Sequence, residues 1–386
     1  MERKVAVVSA SQTKYGKSPV TGREMALTAA VDCLDQSGID PREIDLGIVA
    51  NCFGVVESQA HIAPILMTQI GNPSAPSFTV ESACSSGGSA LHIAYAGVRS
   101  GLYDCVLCVG VERVTHLPLA KSTEFFSMGS DYSFEGCCGA TFPGLYAVMA
   151  RAHMHERGTR SEDLAAVAVK NHENAALNPK AHLQKRVTVD EVLASPVVAD
   201  PLHFFDCCPF SDGAAAVLVM SEEMARKRGA EAVEIAASVR TGGPAALQSR
   251  ERLDSLHAAR LGAAKAYEQA RIGPKDVGFA EVHDCFTIAE VMAIEDLGLV
   301  GAKEAARAAA DGLTYRDGRI PVNASGGLKA KGHPVGATGL GQVVEVFDQM
   351  LSKAGPRQVP KNEIGLTHNV GATGGSCAIH VFKRLR

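Results

Sequence analysis

Hydrophobic positions along the chain follow two periods that alternate through most of its length. Residues 4–11 contain an unbroken apolar run (Val5, Ala6, Val7, Val8), the pattern of a strand buried on both faces. Residues 23–37 place Met25, Ala26, Ala29, Ala30, Cys33 and Leu34 at helical spacing, with Gly38 and then Pro41 as the stop. A second strand is predicted over 44–50, a helix over 61–70, and a third strand over 77–81 that delivers the chain to Cys84. From Cys84 a helix runs to about residue 100, and 103–111 is the next apolar strand. Strands alternating with helices predict an α/β fold with a largely parallel buried sheet.

The pattern breaks after Glu112. Up to about Pro209 the chain is richer in His, Met, Asn and Pro, and predicts helices over 145–158 and 161–174 but no series of buried strands. Ser211-Asp212-Gly213-Ala214 then opens a strand over 215–220. Beyond it the first half is repeated. Gln36-Ser37-Gly38-Ile39-Asp40-Pro41-Arg42-Glu43-Ile44-Asp45 matches Gln269-Ala270-Arg271-Ile272-Gly273-Pro274-Lys275-Asp276-Val277-Gly278, each after an Ala-rich helix and before an apolar strand. The strand of the second copy, 279–282, runs into His283-Asp284-Cys285-Phe286; a helix over 339–351 and strands over 363–368 and 376–382 follow. The expected organisation is an N-terminal half (1–115), an inserted loop region (116–209), a return to the N-terminal half (210–235) and a C-terminal half (236–386). Duplicated βαβ-rich halves place a site between them, where strand C-termini meet helix N-termini.

Composition narrows the function classes. A chain of 386 residues, 46% hydrophobic, buries real cores. A net charge of −4 without long single-sign runs argues against a nucleic-acid groove or a polybasic membrane surface. No apolar stretch reaches transmembrane length, and Met1-Glu2-Arg3-Lys4 leads into the first strand without a signal-peptide layout, so the expected location is the cytoplasm. The eleven cysteines are then expected as reduced thiols. Cys105 and Cys108 sit three apart on a strand and point to opposite faces, and the pairs Cys137-Cys138 and Cys207-Cys208 lack complementary ligand pairs; no metal site is predicted.

Candidate chemistry gathers at strand-to-helix junctions. Cys84 stands at such a turn, where unpaired backbone N–H groups and the helix dipole bias a thiol towards thiolate. Gly87 and Gly88, poor helix formers, let a backbone or ligand approach closely. That stretch alone leaves a nucleophile and a buried structural cysteine equally open. Three further stretches are assigned to equivalent junctions: His283-Asp284-Cys285-Phe286, Gly332-His333-Pro334 and His368-Asn369-Val370-Gly371.

Along its whole length the sequence resembles the thiolase superfamily. Glu81-Ser82-Ala83-Cys84-Ser85-Ser86-Gly87 is similar to the nucleophile motif, and 323–339, through Gly332-His333-Pro334, to the G-H-P motif. His283-Asp284-Cys285-Phe286 resembles the sterol-carrier-protein-2-type and archaeal-type thiolases, where more familiar thiolases carry N-E-A-F. The C-terminal C-x-G cysteine of the latter is absent; this chain has Gly371-Ala372-Thr373 there, and Cys377 falls inside the last strand. The resemblance implies a thiolase fold in αβαβα layers, with Cys84 as nucleophile, His333 as its activator and Cys285 as the acid/base thiol. It also implies that His283 and His333 donate to the thioester oxygen. Backbone N–H groups of Cys84 and the 371–375 loop, Gly371 and Gly374 among them, would form a second oxyanion hole, with Asp284 and Asn369 orienting the loops.

Coenzyme A is expected as substrate, with no permanently bound cofactor, and as contacting mainly the inserted region. Residues 171–174 and 178–180 with Lys185 and Arg186 either meet its phosphates or form an ordinary solvated cluster. Met128, Phe125, Phe126 and Phe142 either line an acyl pocket or form a small core. The expected reaction is cleavage or formation of a 3-oxoacyl-CoA, with acetoacetyl-CoA or an aromatic substrate such as 2-benzoylsuccinyl-CoA as candidates. The rivals are another Claisen-type enzyme (a ketoacyl or hydroxymethylglutaryl-CoA synthase) and a non-catalytic acyl-binding subunit. Expected partners are a second copy of the chain, pairing through an exposed edge strand near 103–111, and a small zinc-ribbon/OB-fold subunit; neither nucleic acid nor membrane is expected.

Overall fold

The computed structural model describes residues 3–385; Met1 and Glu2, at the head of the N-terminal stretch, and Arg386 lie outside the described residues. The first half runs β1 (Val5–Gln12), α1 (Gly22–Ser37), β2 (Leu46–Ala50), α2 (Ile62–Gln69), β3 (Ser77–Val80), α3 (Ser86–Arg99) and β4 (Cys105–Glu112). The inserted region contributes α4 (Leu119–Ser127), α5 (Phe142–Arg157), α6 (Ser161–Ala175), α7 (Val189–Leu193) and a small hairpin of β5 (Val197–Ala199) and β6 (Leu202–His203). Then come β7 (Gly213–Ser221), α8 (Glu222–Lys227), β8 (Val233–Gly242), α9 (His257–Ala270), β9 (Phe279–Glu281), α10 (Thr287–Asp296), α11 (Thr338–Met350), β10 (Ile364–Gly371) and β11 (Ser376–Arg384).

Nine strands join in the order β3-β2-β4-β7-β1-β8-β11-β10-β9. The halves meet where β1 pairs with β8 over only two residue pairs, Ala6 with Glu234 and Val7 with Val233. Helices α3 and α11 touch strands of both half-sheets, so they form a central layer. Their core includes Ala90, Leu91, Ala94, Leu340 and Val343, packed on Val106, Cys108, Val217 and Phe279. Outside one half-sheet, α1 and α2 bury Met25, Ala29, Leu34 and Leu66 against Leu107, Val109 and Leu218. Outside the other, α9 and α10 with α5 and α6 cover Val370, Cys377 and Ile379. Five layers result, helices alternating with sheets. Cys105 faces the outer core and Cys108 the central one.

The internal repeat has matching geometry. Gly38 closes α1 in the left-handed region at φ 64°, its N–H donating to Leu34 O, and the turn Pro41–Glu43 leads to β2. In the second copy Arg271 takes the same place at φ 53°, and the turn Pro274–Asp276 leads to β9.

Three expectations are corrected. The sheet is mixed, not largely parallel: only β3–β2, β2–β4 and β10–β9 run parallel. Parallel neighbours need crossovers, whereas β10 and β11 are joined by a four-residue turn, Ala372–Gly375, that forces them antiparallel, and β7 returns from the insertion antiparallel to β4. Residues 105–112 are not an edge; β4 is wholly buried between β2 and β7, and β3 is the edge on that side, with Phe78 40% exposed. His368-Asn369-Val370-Gly371 does not stand at a strand-to-helix junction but at the end of β10, entering the β10–β11 turn.

Candidate active site

Cys84 lies in a tight turn, Ala83–Ser85, that precedes α3, so it stands just before the helix and not in its first turn. Ala83 adopts φ 47°, a left-handed conformation costly for a residue with a Cβ, and its N–H is held by Glu81 Oε1 at 2.6 Å. Asn369 on β10 clamps the turn from the other half: its Nδ2 donates to Cys84 O (2.9 Å) and its Oδ1 accepts from Gly88 N (3.1 Å). Gly87 and Gly88 allow α3 to meet α11 backbone to backbone. A Cβ on Gly87 would lie 2.9 Å from Leu340 N, and one on Gly339 2.3 Å from Gly88 N.

Two histidines converge on this cysteine. One ligating atom from each of Cys84, His283 and His333 falls within 4.8 Å of the others, and the two rings stand edge to face at 5.2 Å. Their tautomers follow from their neighbours. Thr338 Oγ1 gives its single proton to Pro334 O (2.9 Å), so at 2.6 Å it accepts from His333 Nδ1–H. His333 Nε2 is left with a free lone pair, the form of a general base. Asn369 Nδ2 donates to His283 Nδ1 (3.3 Å), which places the other ring proton on Nε2. That Nε2 is buried and has no partner among the described residues, the form of a hydrogen-bond donor awaiting an oxygen. The trio has the spacing of a metal site, but a metal at His283 Nε2 would move the ring proton to Nδ1, against the donating Asn369 Nδ2.

Desolvation opposes charge on each of these groups. Desolvation pushes the Cys84 thiol up to about 12, against the opposing N–H groups of Ala372 and of Cys84 itself. Desolvation thus works against the thiolate that the helix terminus was expected to favour. Desolvation also holds His333 down at about 3 and His283 well below its ordinary value.

Cys285 is buried in the connection between β9 and α10, with its carbonyl accepting from Cys208 N at 2.9 Å. Desolvation lifts its thiol well above the ordinary range; Cys208, Cys84 and Asp284 add to the lift, and Tyr146 opposes it. Asp284, fully buried, accepts from Leu328 N (2.6 Å), Lys329 N (3.3 Å) and Asn171 Nδ2 (2.7 Å), so it ties the segment approaching His333 to α6. Glu112, also buried, accepts from Cys52 N, Phe53 N and Gly336 N, drawing the loop after β2 to the residues just beyond His333.

The remaining expected residues divide. Gly371 packs on the nucleophile turn, where a Cβ would lie 2.7 Å from Ser82 O. Gly374 is elsewhere: its N–H is used by Gly371 O (3.0 Å), and it borders a cavity of about 250 Å³ lined by Arg250, Arg252, Leu256, His257 and Arg260. Four polar residues of the inserted region are turned to internal partners. Asn171 holds Asp284 and Glu290, His172 holds Lys185 O, and Asn174 and Asn178 donate to Asn323 O and Ser325 O. Phe125 and Phe126 pack with Phe53, Phe210, Val335 and Cys84, whereas Phe142 joins the C-terminal core and Met128 is exposed. Sequence reasoning missed Thr338, although it sits in the stretch read as the His333 motif.

Residues 5–223 match the family described as thiolase, N-terminal domain, and residues 217–384 the thiolase C-terminal domain-like family. The chain is 44% identical to an acetyl-CoA acetyltransferase of Methanothermobacter thermautotrophicus, over 99% of this chain and 100% of that one. It is 37% identical to the benzoylsuccinyl-CoA thiolase subunit BbsB of Thauera aromatica, over 98% and 96%. Among solved structures, the Ltp2-ChsH2(DUF35) aldolase superposes with a TM-score of 0.84 at 25% identity, covering 99% of this chain and 98% of that one. With both domain families matched in tandem over nearly every residue, the chain belongs to the thiolase family of acyltransferases.

Proposed function

We propose that the protein is a thiolase that cleaves or forms 3-oxoacyl-CoA through an acyl-enzyme on Cys84. The observation that carries this reading is the pair of histidines beside Cys84, held in opposite tautomers. In the cleavage direction, Cys84 Sγ attacks the 3-oxo carbon and its proton passes to His333 Nε2. His283 Nε2–H donates to the thioester oxygen as the carbon–carbon bond breaks and an enolate forms, and the Cys285 thiol protonates that enolate. The thiol of coenzyme A then takes the acyl group from Cys84. Asp284 and Asn369 orient the two loops, and Ala372 N–H, rather than Gly374, is the second oxyanion donor. The arginine-lined cavity beside Gly374 suits the phosphates of coenzyme A.

Acetoacetyl-CoA is the first substrate to test, given the acetyl-CoA acetyltransferases among the relatives. The phenyl cluster of Phe53, Phe125, Phe126 and Phe210 around Cys84 favours a second reading, an aromatic 3-oxoacyl-CoA, in line with the relative named for benzoylsuccinyl-CoA. A second copy would pair along the exposed β3 edge, and the aldolase neighbour, whose name joins Ltp2 to ChsH2(DUF35), supports an additional small subunit. The test is thiolysis of a panel of 3-oxoacyl-CoAs with intact-mass detection of acylated Cys84. Cys285→Ala should acylate but fail to condense; full condensing activity in that variant, or no acyl adduct on Cys84, would overturn the assignment.

A further inference from the structure

Glu112, the last residue of β4, is 1% exposed. Four N–H donors converge on its carboxylate: Oε1 accepts from Asn51 Nδ2 (3.0 Å) and Phe53 N (3.0 Å), and Oε2 from Cys52 N (3.0 Å) and Gly336 N (3.1 Å). Asn51, Cys52 and Phe53 belong to the loop after β2. Gly336 belongs to the turn Val335–Ala337, which separates His333 from Thr338, the residue that orients its ring. That turn is wedged between strand ends, since a Cβ on Gly336 would lie 2.6 Å from both Ala50 O and Val111 O. The same loop reaches the nucleophile. Cys52 Sγ donates to Glu81 Oε1 (3.6 Å), and that oxygen also accepts from Ala83 N (2.6 Å) in the Cys84 turn. Phe53 sets its ring against Phe126 at 5.1 Å, in the cluster that packs on Cys84. Residues 51–53 thus bridge the turn of His333 to the turn of Cys84, and Glu112 pins the bridge.

The pin works only as a carboxylate. Every partner is a donor, so a protonated carboxyl brings another hydrogen into a site whose partners already point hydrogens at it, and a contact must open. Asn51 cannot turn its Oδ1 inward to accept, because its Nδ2 also donates to Val111 O (2.9 Å) and a flip would set oxygen against oxygen. Burial pushes this carboxyl up to about 7; the N–H groups of Cys52, Phe53 and Gly336 oppose the lift and Glu57 adds to it. Glu57 is itself paired with Arg113 at 2.9 Å, and Asp212, at the entry to β7, is taken up by Val114 N (2.8 Å) and Thr115 N (2.9 Å). Burial lifts the thiols of Cys52 and Cys84 and lowers His333, so each of these neighbours is pushed away from a titration near neutrality.

We propose that Glu112 is a positioning residue for acylation: its carboxylate ties residues 51–53 to the turn after His333 and so fixes the spacing between that base and Cys84. The inference rests on the reading of Cys84 as nucleophile and His333 as its base. Glu112 touches neither the substrate nor the reacting sulfur; it acts through the backbone of the two turns.

Single-turnover acylation of wild-type Cys84 by acetyl-CoA, followed by intact mass, should fall as pH drops through about 7. Asn51→Ala keeps the carboxyl and removes one of its four donors, so the midpoint of that fall should move up by about one pH unit or more. Glu112→Gln sets an amide N–H2 against the remaining donors; acylation on the alkaline side should drop roughly 10- to 100-fold and the fall near neutrality should vanish. If that variant fails to fold, the Asn51→Ala midpoint still decides. A wild-type rate that is flat through neutrality, an unmoved midpoint in Asn51→Ala, or a wild-type midpoint persisting in Glu112→Gln would overturn the proposal. Amide hydrogen exchange gives a readout independent of the chemistry: protection of Cys52, Phe53 and Gly336 N–H, corrected for intrinsic rate, should weaken with the same midpoint. A wild-type protein whose Cys84 is never acylated would remove the thiolase reading, while protection that stays constant through neutrality would overturn the role of Glu112.

Discussion

Thr338→Val removes one hydroxyl and leaves the shape of the side chain nearly unchanged. The hydroxyl accepts the Nδ1–H of His333, which is 3% exposed, at 2.6 Å. In the proposed mechanism His333 takes the Cys84 proton at Nε2 and becomes a cation, so that hydrogen bond becomes charge-assisted, worth roughly 1.5–3 kcal/mol. In the variant the neutral ring can move its proton to Nε2 to escape an unpaired Nδ1–H, but that tautomer cannot receive the cysteine proton. Either route raises the acylation barrier. At 1.36 kcal/mol per decade the expected loss is roughly 10- to 150-fold. The assay is single-turnover acylation of Cys84 by acetyl-CoA, followed by intact mass, with Thr338→Ser as the rescue that keeps the hydroxyl. The loss should appear in the acylation rate with little change in the melting temperature. A Thr338→Val enzyme that acylates at the wild-type rate would refute the tautomer assignment of His333.

Two further outcomes concern stability. Lys170 and Glu290 form a fully buried ion pair at 2.6 Å, and Lys170 also donates to Val322 O at 2.7 Å. Lys170→Met strands the carboxylate and should cost about 3–5 kcal/mol in urea unfolding, with most of it recovered in Lys170→Met/Glu290→Leu; a single variant within about 1 kcal/mol of wild type would contradict the buried pair. The pH dependence has two opposed parts. Folded His333, His368 and His380 stay neutral down to about 3, while unfolded imidazoles take up protons through about 6.5, so each ring removes stability progressively from about 6.5 down to about 3. Glu112, lifted by burial to about 7, adds stability as pH falls from about 7 to about 4.5 and nothing further below. The urea midpoint should therefore already fall from about pH 6.5 to 4.5, where three rings outweigh one carboxyl, and fall more steeply below; a rise continuing to pH 3 would refute the neutral buried rings.

Much of the molecule was legible in the chain because the signals are local. Gly38 ends α1 for the reason that makes glycine a helix stop, and the paired stretches at 36–45 and 269–278 exposed the duplication because each is a capped turn feeding a strand. Strand direction was not legible. An apolar run reads the same whether its neighbour is parallel or antiparallel, and the long insertion concealed that β7 returns beside β4. The error over residues 103–111 has the same origin, since edge or centre is a property of the sheet and not of the strand.

The chemistry divides along the same line. Residue type and motif context singled out Cys84, His283, Cys285 and His333, because nucleophile, base and acid are properties of side chains. Protonation and direction were decided only by packing. Thr338 and Asn369 set which nitrogen of each histidine carries the proton, and dehydration opposes the thiolate that the turn before α3 was expected to favour. A sequence encodes which groups are available within a few residues of one another. Whether a proton sits on one atom or its neighbour depends on dielectric and on hydrogen-bond partners such as Asn369, far from His283 along the chain, which meet only once the chain has folded.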